Sequence, residues 1–445
     1  MIERLIQAVE KYRIEILNAE RYIWNHPETG FKEWKTSAYL TQAFEGLGYV
    51  LVQAENIPGF YADFDTGRPG PTICIMGEMD SLICFEHPEC DPATGAVHAC
   101  GHNAQCAALL GVALALKEPE VSKALCGRIR LMAVPAEELI ELEYRQSLRK
   151  AGSIHYLGGK VEFLYRGYFD GVDMAFMIHT GGHETGLVIE SGCNGCVVKT
   201  AQFEGLSTHA SSPSHAVNAL YAANLALNAI NALRETFDDK EHTRVHPIIT
   251  CGGTAVNAIP GMVNLESYVR GASLQGISRE NKKVNRALAA SAAAMGAKVH
   301  LIDSPGYCPL HNDPILSEKM REAYTLVTGS ENAVKKGGWG YGCTDMGDLS
   351  AVLPVVHPYI SGSSGQAHGK DYVISDPESA CVVSAKVQLV VLWWLLRDNG
   401  KEAQLVKANA RPFYPDFPSY FAAVDALRLD EDLVKYTDQG ILLSV

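Results

Sequence analysis

The sequence predicts an α/β fold in which a mixed, largely parallel sheet is flanked by helices, and two observations support that class. Short, mostly apolar runs typical of buried strands alternate along the chain with segments of helical periodicity. From about residue 193 to residue 307 the pattern changes to strands with one solvated face, which predicts a separate α+β layer inserted into the first domain. We therefore expect one domain made of residues 1–192 and 307–445, and an inserted domain made of residues 193–306.

The elements of the first domain follow from the spacing of its apolar residues. Strands are predicted where short apolar runs occur, at residues 72–76, 129–134 and 174–178. Helices are predicted where apolar residues recur every three or four positions, at residues 3–24, 104–117, 137–150, 314–327 and 376–397. This order of elements predicts a parallel sheet covered by helices.

The inserted layer has a different pattern. Residues 197–203 and 264–270 alternate apolar and polar side chains, as strands with one solvated face do. Residues 216–233 and 278–295 have helical spacing. These segments predict two strands and two helices of an α+β unit.

Composition excludes some classes of partner. The 445 residues include 51 acidic and 38 basic side chains, a formal charge of −13, so we expect no nucleic acid partner, because phosphate binding needs a concentrated basic face. No run reaches the roughly 18 apolar residues of a membrane span and no secretory signal is visible, so we expect a cytoplasmic protein without a membrane partner. The 12 cysteines are then expected as thiols rather than disulfides.

Metal-type side chains follow several predicted strands at the point where each strand ends. Asp80 follows the first strand, Glu137 and Glu138 follow the second, and His179 follows the third. A His-x-Cys-x-His segment opens the helix predicted at residues 104–117. Open α/β sheets bind ligands outside the carboxyl ends of their strands, so we expect these four segments to meet at one site.

The expected site offers sulfur, nitrogen and oxygen donors, which are the ligand types of borderline metals. The candidates from the sheet edge are Cys100, His102, Glu138 and His179. A fifth candidate is His368, in a loop whose flanking glycines allow a close approach. Because one tetrahedral ion needs fewer ligands, we expect two ions that share a bridging group.

The adjacent carboxylates Glu137 and Glu138 suggest a division of labour. At a strand-to-helix turn they point in different directions, so one can bind metal while the other accepts a proton from the attacking water. An isolated Glu-Glu pair is more often a solvated helix start. Here it follows Val134-Pro135-Ala136, the end of a buried strand, which favours the functional interpretation.

Several motifs have structural or competing interpretations. A lone His-x-Cys-x-His can be a tight turn, and a lone histidine such as His179 can be a hydrogen-bonded core residue. Cys193-Asn194-Gly195-Cys196 lacks the second pair of a zinc finger, so we interpret it as a turn between domains. The glycines at 337–340 do not match a phosphate loop, and Ser207-Thr208-His209 has no G-x-S-x-G elbow to make it a serine hydrolase.

A set of motifs gives the chain a family resemblance. The motifs are His26-Pro27-Glu28-Thr29-Gly30-Phe31, Gly77-Glu78-Met79-Asp80, His98-Ala99-Cys100-Gly101-His102-Asn103, Pro135-Ala136-Glu137-Glu138, Thr208-His209-Ala210, Gly252-Gly253, Asn257-Ala258-Ile259-Pro260 and Thr344-Asp345-Met346-Gly347-Asp348. With them, the chain resembles the aminoacylase and carboxypeptidase G family of two-metal peptidases, in its amidohydrolase branch, from residue 26 to about residue 386. Within that branch it is most similar to the p-aminobenzoyl-glutamate hydrolase B-subunit and aminoacylase-1-like groups.

The resemblance implies roles for residues at matching positions. Cys100 would bridge two divalent ions, and the remaining ligands would be His102, Glu138, His179 and His368. Glu137 would be the general base. Relatives carry His-x-Asp where this chain has Glu78-Met79-Asp80, so Glu78 is not the expected ligand and Asp80 would orient a ligand from behind.

The resemblance also implies a role for the inserted domain. It would be a ferredoxin-like lid and dimerisation domain, and the protein would be a homodimer. His209 would reach into the partner's site and stabilise the oxyanion. Asn257 and Arg270 are candidates for holding a substrate carboxylate.

The expected reaction is hydrolysis of the amide bond of a small N-acyl or N-aroyl amino acid, or of a dipeptide. A metal-bound hydroxide would attack the carbonyl while Glu137 acts as general base. Two divalent cations are expected, with zinc or manganese favoured and cobalt or nickel compatible. Two alternatives stay open, a deacetylase of a biosynthetic intermediate and a catalytically inactive binding relative.

Overall fold

The computed structural model of the chain describes residues 1–182, 186–330 and 334–445. Its α-helices, in chain order, are α1 Ile2–Glu10, α2 Arg13–Trp24, α3 Trp34–Gly46, α4 His102–Leu116, α5 Pro119–Ser122, α6 Leu142–Lys150, α7 Gly159–Tyr165, α8 Ala219–Leu233, α9 Leu274–Ala294, α10 Pro314–Thr328, α11 Met346–Ser350, α12 Ser384–Leu396, α13 Lys401–Asn409 and α14 Phe417–Asp425.

The strands are mostly short outside two sheets. In chain order they are β1 Leu51–Gln53, β2 Phe60–Asp65, β3 Thr72–Glu78, β4 Leu82–Ile83, β5 Ala96–Val97, β6 Arg128–Val134, β7 Met174–Phe176, β8 His179–Gly181, β9 Leu187–Ile189, β10 Gly192–Cys193, β11 Gly195–Glu204, β12 Arg244–Val245, β13 Ile248–Cys251, β14 Met262–Gly271, β15 Lys298–Tyr307, β16 Leu310–His311, β17 Val334–Lys336, β18 Trp339–Gly340, β19 Val355–Val356, β20 Tyr359–Ser361, β21 Ser363–Ser364, β22 Val373–Ile374, β23 Leu429–Asp432, β24 Val434–Thr437 and β25 Gly440–Leu443.

The first of two compact units contains Met1–Gly192, His311–Gly340 and Asp348–Pro415. Its main sheet has the strand order β1-β2-β6-β3-β7-β19. The four strands β6, β3, β7 and β19 run parallel, whereas at one edge β2 pairs antiparallel with β6 and β1 pairs antiparallel with β2. This mixed, largely parallel sheet with flanking helices confirms the predicted fold class.

Two apolar helices form the centre of this unit. Every residue of α4 is buried, and so are nearly all residues of α12, which packs against it. The stretch Glu378–Leu396 is long and apolar enough to cross a membrane, but 78% of its most apolar window is buried inside the structure. A buried helix of a core has the same composition, because it has no solvated face.

Two predicted helices of the first unit differ from the structure, one at its start and one in its middle. The helix predicted at residues 137–150 begins only at Leu142, because Ala136 and Glu141 adopt left-handed φ values of 59° and 52° that a right-handed helix does not tolerate. The predicted helix 3–24 is interrupted at Lys11–Tyr12, where Tyr12 has φ −106° and ψ 18°. Glu137 and Glu138 therefore lie in a turn between a strand and a helix.

The second unit contains Cys193–Leu310, Tyr341–Gly347 and Asp416–Val445. Its sheet has the order β12-β14-β11-β15-β23, with β13 also paired to β14, and every pairing is antiparallel. Helices α8 and α9 pack on one face, where Val263, Leu265 and Val269 of β14 are buried. Intervening residues of β14 point to the opposite face, because side chains alternate along a strand.

Candidate metal centre

The turn before α4 sets the direction of two metal-type side chains. Gly101 has φ 88°, and a Cβ atom there would lie 2.5 Å from the Tyr372 hydroxyl and 3.2 Å from the Thr180 Cβ. Only glycine fits this left-handed, crowded position without strain. The tight turn allows Cys100 and His102, on either side of it, to contribute to one site.

The structure brings all five predicted ligands of the first unit together in two overlapping groups. Ligand atoms of Cys100, His102 and His179 lie within 4.8 Å of one another, and so do those of Cys100, Glu138 and His368. Within these groups, Cys100 Sγ is 3.5 Å from His179 Nε2, and His368 Nε2 is 3.0 Å from Glu138 Oε1. Cys100 belongs to both groups, so the donor set fits two cations bridged by a thiolate.

Hydrogen bonds behind the imidazoles fix their orientation. His102 Nδ1 is 3.0 Å from the backbone oxygen of Asp80 and 3.2 Å from its Oδ1. His179 Nδ1 donates to the backbone oxygen of Thr180 at 2.7 Å. These contacts leave Nε2 of each ring as the atom available to a cation.

Asp80 also contacts the turn that carries the paired glutamates. Its Oδ2 accepts a hydrogen bond from the Glu138 backbone N–H at 2.8 Å. The carboxylate of Asp80 is fully buried. One of its oxygens contacts the imidazole of His102, and the other accepts the backbone N–H of Glu138. This arrangement supports the predicted orienting role of Asp80.

The charges of the site are strongly coupled. Burial and the Glu138 carboxylate disfavour the thiolate, but the imidazoles of His102 and His179 lower the pKa of Cys100 to about 6. Despite burial, the bond to His368 lowers the pKa of Glu138 to about 2. Hydrogen bonds that His368 donates to Cys100 and Glu138 raise the pKa of His368 to about 11. The thiolate and the carboxylate create a negative field, which is the field that attracts a divalent cation.

Glu137 lies beside this centre on a turn that is held by buried polar side chains. Ligand atoms of His102, Glu137 and Glu138 lie within 4.8 Å of one another. The guanidinium of Arg145, fully buried, donates to the backbone oxygens of three residues around the turn, namely Ala136 at 3.3 Å, Leu157 at 2.5 Å and Glu138. Glu33 Oε1 accepts the Ala136 N–H at 2.7 Å. The backbone around the two glutamates is therefore fixed from both sides.

Sequence reasoning missed a buried ion pair beside His102. Glu78 Oε1 pairs with the buried Lys160 ammonium. The other oxygen, Oε2, is 3.1 Å from His102 Nε2 and accepts a hydrogen bond from Gln105 Nε2 at 2.9 Å. Burial opposes ionisation of Glu78, but Lys160 and His102 hold its pKa far below the usual range. Lys160 is one of two charged residues of α7, and no local pattern in the sequence links it to Glu78.

Aromatic rings complete one wall of the centre. The ring centroids of His357 and Tyr359 lie 5.7 Å and 5.1 Å from that of His179. His357 is buried, and burial lowers its pKa to about 3, so this imidazole is neutral. The wall adds little charge to the site and restricts the position of the His179 ring.

The second unit places the remaining candidates at two different positions. His209 and Ala258 form a β-bridge, and the Ala210 N–H donates to the Asn257 backbone oxygen at 2.9 Å, so His209 and Asn257 lie on neighbouring segments. The His209 side chain is exposed, and its Nδ1 accepts the Ser211 N–H at 3.1 Å. In the neutral ring, Nε2 then carries the proton and can donate to an anion.

Arg270 is far from His209 and Asn257 within one chain. It pairs with Cys196 at one end of the β11–β14 ladder, whereas Met262 pairs with Glu204 at the other end, next to the segment of Asn257. At 3.3 Å per residue, the strand between Met262 and Arg270 spans about 26 Å. Arg270 and the start of β14, which follows the segment of Asn257, therefore lie at opposite ends of this strand pair.

Comparisons with known proteins indicate the family of the chain. Mouse Xaa-Arg dipeptidase is 29% identical over 393 residues, which cover 83% of this chain and 81% of the relative. N-acetyl-L-cysteine deacetylase of Bacillus subtilis is 26% identical over 69% of this chain and 72% of the relative. The B-subunit of p-aminobenzoyl-glutamate hydrolase from Escherichia coli is 28% identical over 65% of this chain and 57% of the relative.

A solved structure shows the same fold. A Bacillus subtilis protein described as a dinuclear metal binding peptidase superposes with a TM-score of 0.64 at 18% identity, covering 87% of this chain and 99% of that chain. The model of peptidase family M20/M25/M40 matches residues 74–392, which is more than half of the chain. These findings confirm the resemblance that the sequence motifs indicate, and the chain belongs to peptidase family M20/M25/M40.

Proposed function

We propose that this metal-dependent hydrolase cleaves the amide bond of a small N-acyl or N-aroyl amino acid, or of a dipeptide. The observation that carries the proposal is the pair of donor groups that share Cys100, with Glu137 next to them on a fixed turn. Cys100, His102, Glu138, His179 and His368 would hold two divalent cations. When bound, these cations would polarise the amide carbonyl and neutralise developing negative charge.

The protein groups supply the proton transfers. Glu137 accepts a proton from the attacking water and delivers it to the leaving amine, since its carboxylate lies within 4.8 Å of ligand atoms of His102 and Glu138. Asp80 holds the His102 ring and the Glu138 backbone in place, which preserves the geometry through the reaction. We propose zinc or manganese as the metal, because imidazole, carboxylate and a single thiolate suit both ions.

The role of Glu137 can be tested separately from metal binding. We expect Glu137→Gln to reduce kcat by at least about 100-fold, because it removes the general base. Metal content, measured by emission spectroscopy, should stay at two ions per chain. An active Glu137→Gln variant would contradict the proposed base. A matched control is Glu143→Gln, which changes an exposed carboxylate at the start of α6.

We propose that the enzyme is a homodimer in which residues 193–306 form the lid and dimerisation domain. His209 and Asn257 of one copy would serve the metal centre of the other copy, while Arg270 would serve a different centre, because the two positions are about 26 Å apart along the sheet. The exposure of His209 in the single chain fits this arrangement. Exposed Tyr221 and Leu225 of α8 offer an apolar surface for dimerisation.

Mixing two inactive variants tests the exchange of His209. His209→Ala and Glu137→Gln homodimers should each be inactive. In a mixed dimer, one centre combines an intact Glu137 with an intact His209 from the other subunit, so activity should return. If sedimentation shows mixed dimers and no activity returns, His209 does not act across subunits.

A second candidate substrate class is an N-acetyl compound, which the similarity to N-acetyl-L-cysteine deacetylase favours. A panel of aminobenzoyl-glutamate, hippurate, N-acetyl amino acids and dipeptides, assayed with metal-reconstituted enzyme, separates these candidates. Preference for N-acetyl substrates irrespective of the amino acid would indicate the deacetylase. Preference that depends on the amino acid would indicate the aminoacylase or dipeptidase type.

A further inference from the structure

A cavity of about 290 Å³ lies within the first unit. Its walls are the end of β9, strand β17 and the first turns of α10, and its lining includes neither Glu137 nor any of the five candidate metal ligands. In the small sheet, β20 separates β9 from β8, the strand of His179. The volume is close to the lower end of the about 300–1,000 Å³ of small-molecule sites, which suits a single amino acid rather than a peptide.

The charged side chains of this cavity do not cancel. Arg321 donates to the Glu318 carboxylate at 3.0 Å, so these two charges offset each other. Glu190, Lys335 and Lys336 also line the cavity, and they form no ion pair with any residue that the structure describes. The open charges of the cavity are therefore two ammonium groups and one carboxylate.

The register of β17 places the two ammonium groups on different sides of the cavity. Lys336 is the partner of Ile189 in the parallel pair of β17 and β9. Ile189 is buried in the same core as Leu316 of α10, so Lys336 lies on the face of the small sheet that α10 covers. Lys335 lies on the other face of this edge strand and is exposed. We therefore expect one ammonium group to approach a ligand from the helix side and the other to approach it from the rim.

Glu190 offers the opposite charge on a fixed backbone. Its side chain is half-buried, its carboxylate has no hydrogen-bond partner in the described part of the chain, and burial raises its pKa. The Nδ2 of Asn312 donates to the Glu190 backbone oxygen at 2.9 Å. A Cβ atom at Gly337 would lie 2.8 Å from the Glu190 Cγ, so the glycine leaves room for this side chain. An ammonium group beside Glu190 would offset the cost of burying a carboxylate without a partner.

Two simpler kinds of ligand fit these charges poorly. A plain anion such as phosphate would be repelled by the carboxylate of Glu190, and a plain cation would be repelled by the two lysines. The N-terminus of α10 is not open to an anion, because Asp313 already accepts the N–H groups of Ile315 and Leu316 at 2.9 Å. Complementarity to all three open charges requires a ligand with one ammonium group and two carboxylates.

We infer that this cavity is a binding site for a free amino acid with an acidic side chain, namely glutamate or aspartate. Glu190 binds the ammonium group of the ligand, and Lys335 and Lys336 bind its two carboxylates. The inference goes beyond the proposed function and does not depend on it, because it uses neither a cation nor a residue of the metal centre.

The binding test compares ligands that differ by one charged group. Calorimetry with the metal-loaded enzyme compares glutamate with glutarate, which lacks the ammonium group, and with glutamine, which lacks the second carboxylate. We expect glutamate to bind more tightly than either by about 10- to 100-fold, the range of a charge-assisted hydrogen bond. Glu190→Gln should abolish the advantage over glutarate and should not weaken glutarate itself, because it removes a like charge. The double variant Lys335→Gln, Lys336→Gln should abolish the advantage over glutamine.

Exposed charges elsewhere in the chain provide matched controls. Glu15→Gln on α2 and Lys282→Gln on α9 remove charges of the same sign and should change none of the affinities. Retained binding of glutarate by Glu190→Gln shows that this variant is folded. Equal affinities of the wild type for glutamate and glutarate, or no binding of glutamate, would overturn the inference. Unchanged glutamate binding in both cavity variants would mean that the ligand binds elsewhere, and it would overturn the inference as well.

Discussion

Replacement of Arg145 by methionine should both destabilise the first unit and impair catalysis. The buried guanidinium donates to the backbone oxygens of Ala136, Leu157 and Glu138. After the substitution, the Ala136 oxygen still accepts the Gly159 N–H, and the Glu138 oxygen still accepts the Ile140 N–H. Each of these two oxygens therefore loses one hydrogen bond and keeps another.

The magnitude follows from these contacts. The Leu157 oxygen loses its donor, at a cost of about 1–3 kcal/mol, and each of the other two lost bonds costs about 0.5–1.5 kcal/mol. The sum is about 2–6 kcal/mol, and relief of the desolvation of a buried charge reduces it. We therefore expect the free energy of unfolding to fall by about 2–5 kcal/mol. A displacement of Glu137 and Glu138 by about 1 Å should lower kcat by about 100-fold.

Urea unfolding followed by tryptophan fluorescence measures the first effect, and kcat and metal content measure the second. Arg149→Met is the matched control, because Arg149 lies one turn further along α6 and donates to the Gln146 side chain at 3.1 Å. Arg145→Lys provides a variant that keeps the buried charge without its planar fork. If Arg145→Met and Arg149→Met lose the same stability and keep the same kcat, the proposed support of the turn is wrong.

Two further predictions concern the metal ligands. Asp80→Ala should weaken metal binding by about 10- to 100-fold, because it frees the His102 ring. Equilibrium dialysis with a metal buffer measures the affinity. An unchanged affinity would mean that Asp80 does not orient the ligand. The pKa of Cys100 is lowered to about 6 from an ordinary 9.0. In metal-free protein, the rate of alkylation of Cys100 by iodoacetamide should therefore rise with pH through about 6. Bound metal should protect the thiol from alkylation. Mass spectrometry identifies the modified cysteine, and a rise only above about pH 8 would contradict the shift; Cys74, whose pKa burial raises, is the internal control.

The sequence predicted the parallel part of the fold well because buried strands and helices have local signals. The apolar runs near residues 72–76 and 129–134 became β3 and β6 with small changes at their ends. The start of α6 was predicted wrongly, because the left-handed conformation of Glu141 and the contacts of Arg145 are tertiary features. Periodicity alone cannot detect either of them.

The candidate metal ligands could be found from the sequence because the chemistry restricts the residue types. Cys100, His102 and Glu138 each follow or precede an element that ends at the same sheet edge, and the structure places their ligand atoms in two overlapping groups. The assignment of their roles stays a prediction that the experiments above test. Family membership confirms the expectation of a metal-dependent amidohydrolase or peptidase.

By itself, the sequence determined which donors meet, since metal-type side chains at strand ends converge whenever the strands are parallel neighbours. Tertiary structure alone decided three further features. It paired Lys160 with Glu78, placed Arg244 opposite Arg270, and separated Arg270 from Asn257 by the length of a strand. The physical reason is that each feature depends on register and side-chain direction between segments far apart in the chain, which no local pattern of residues encodes.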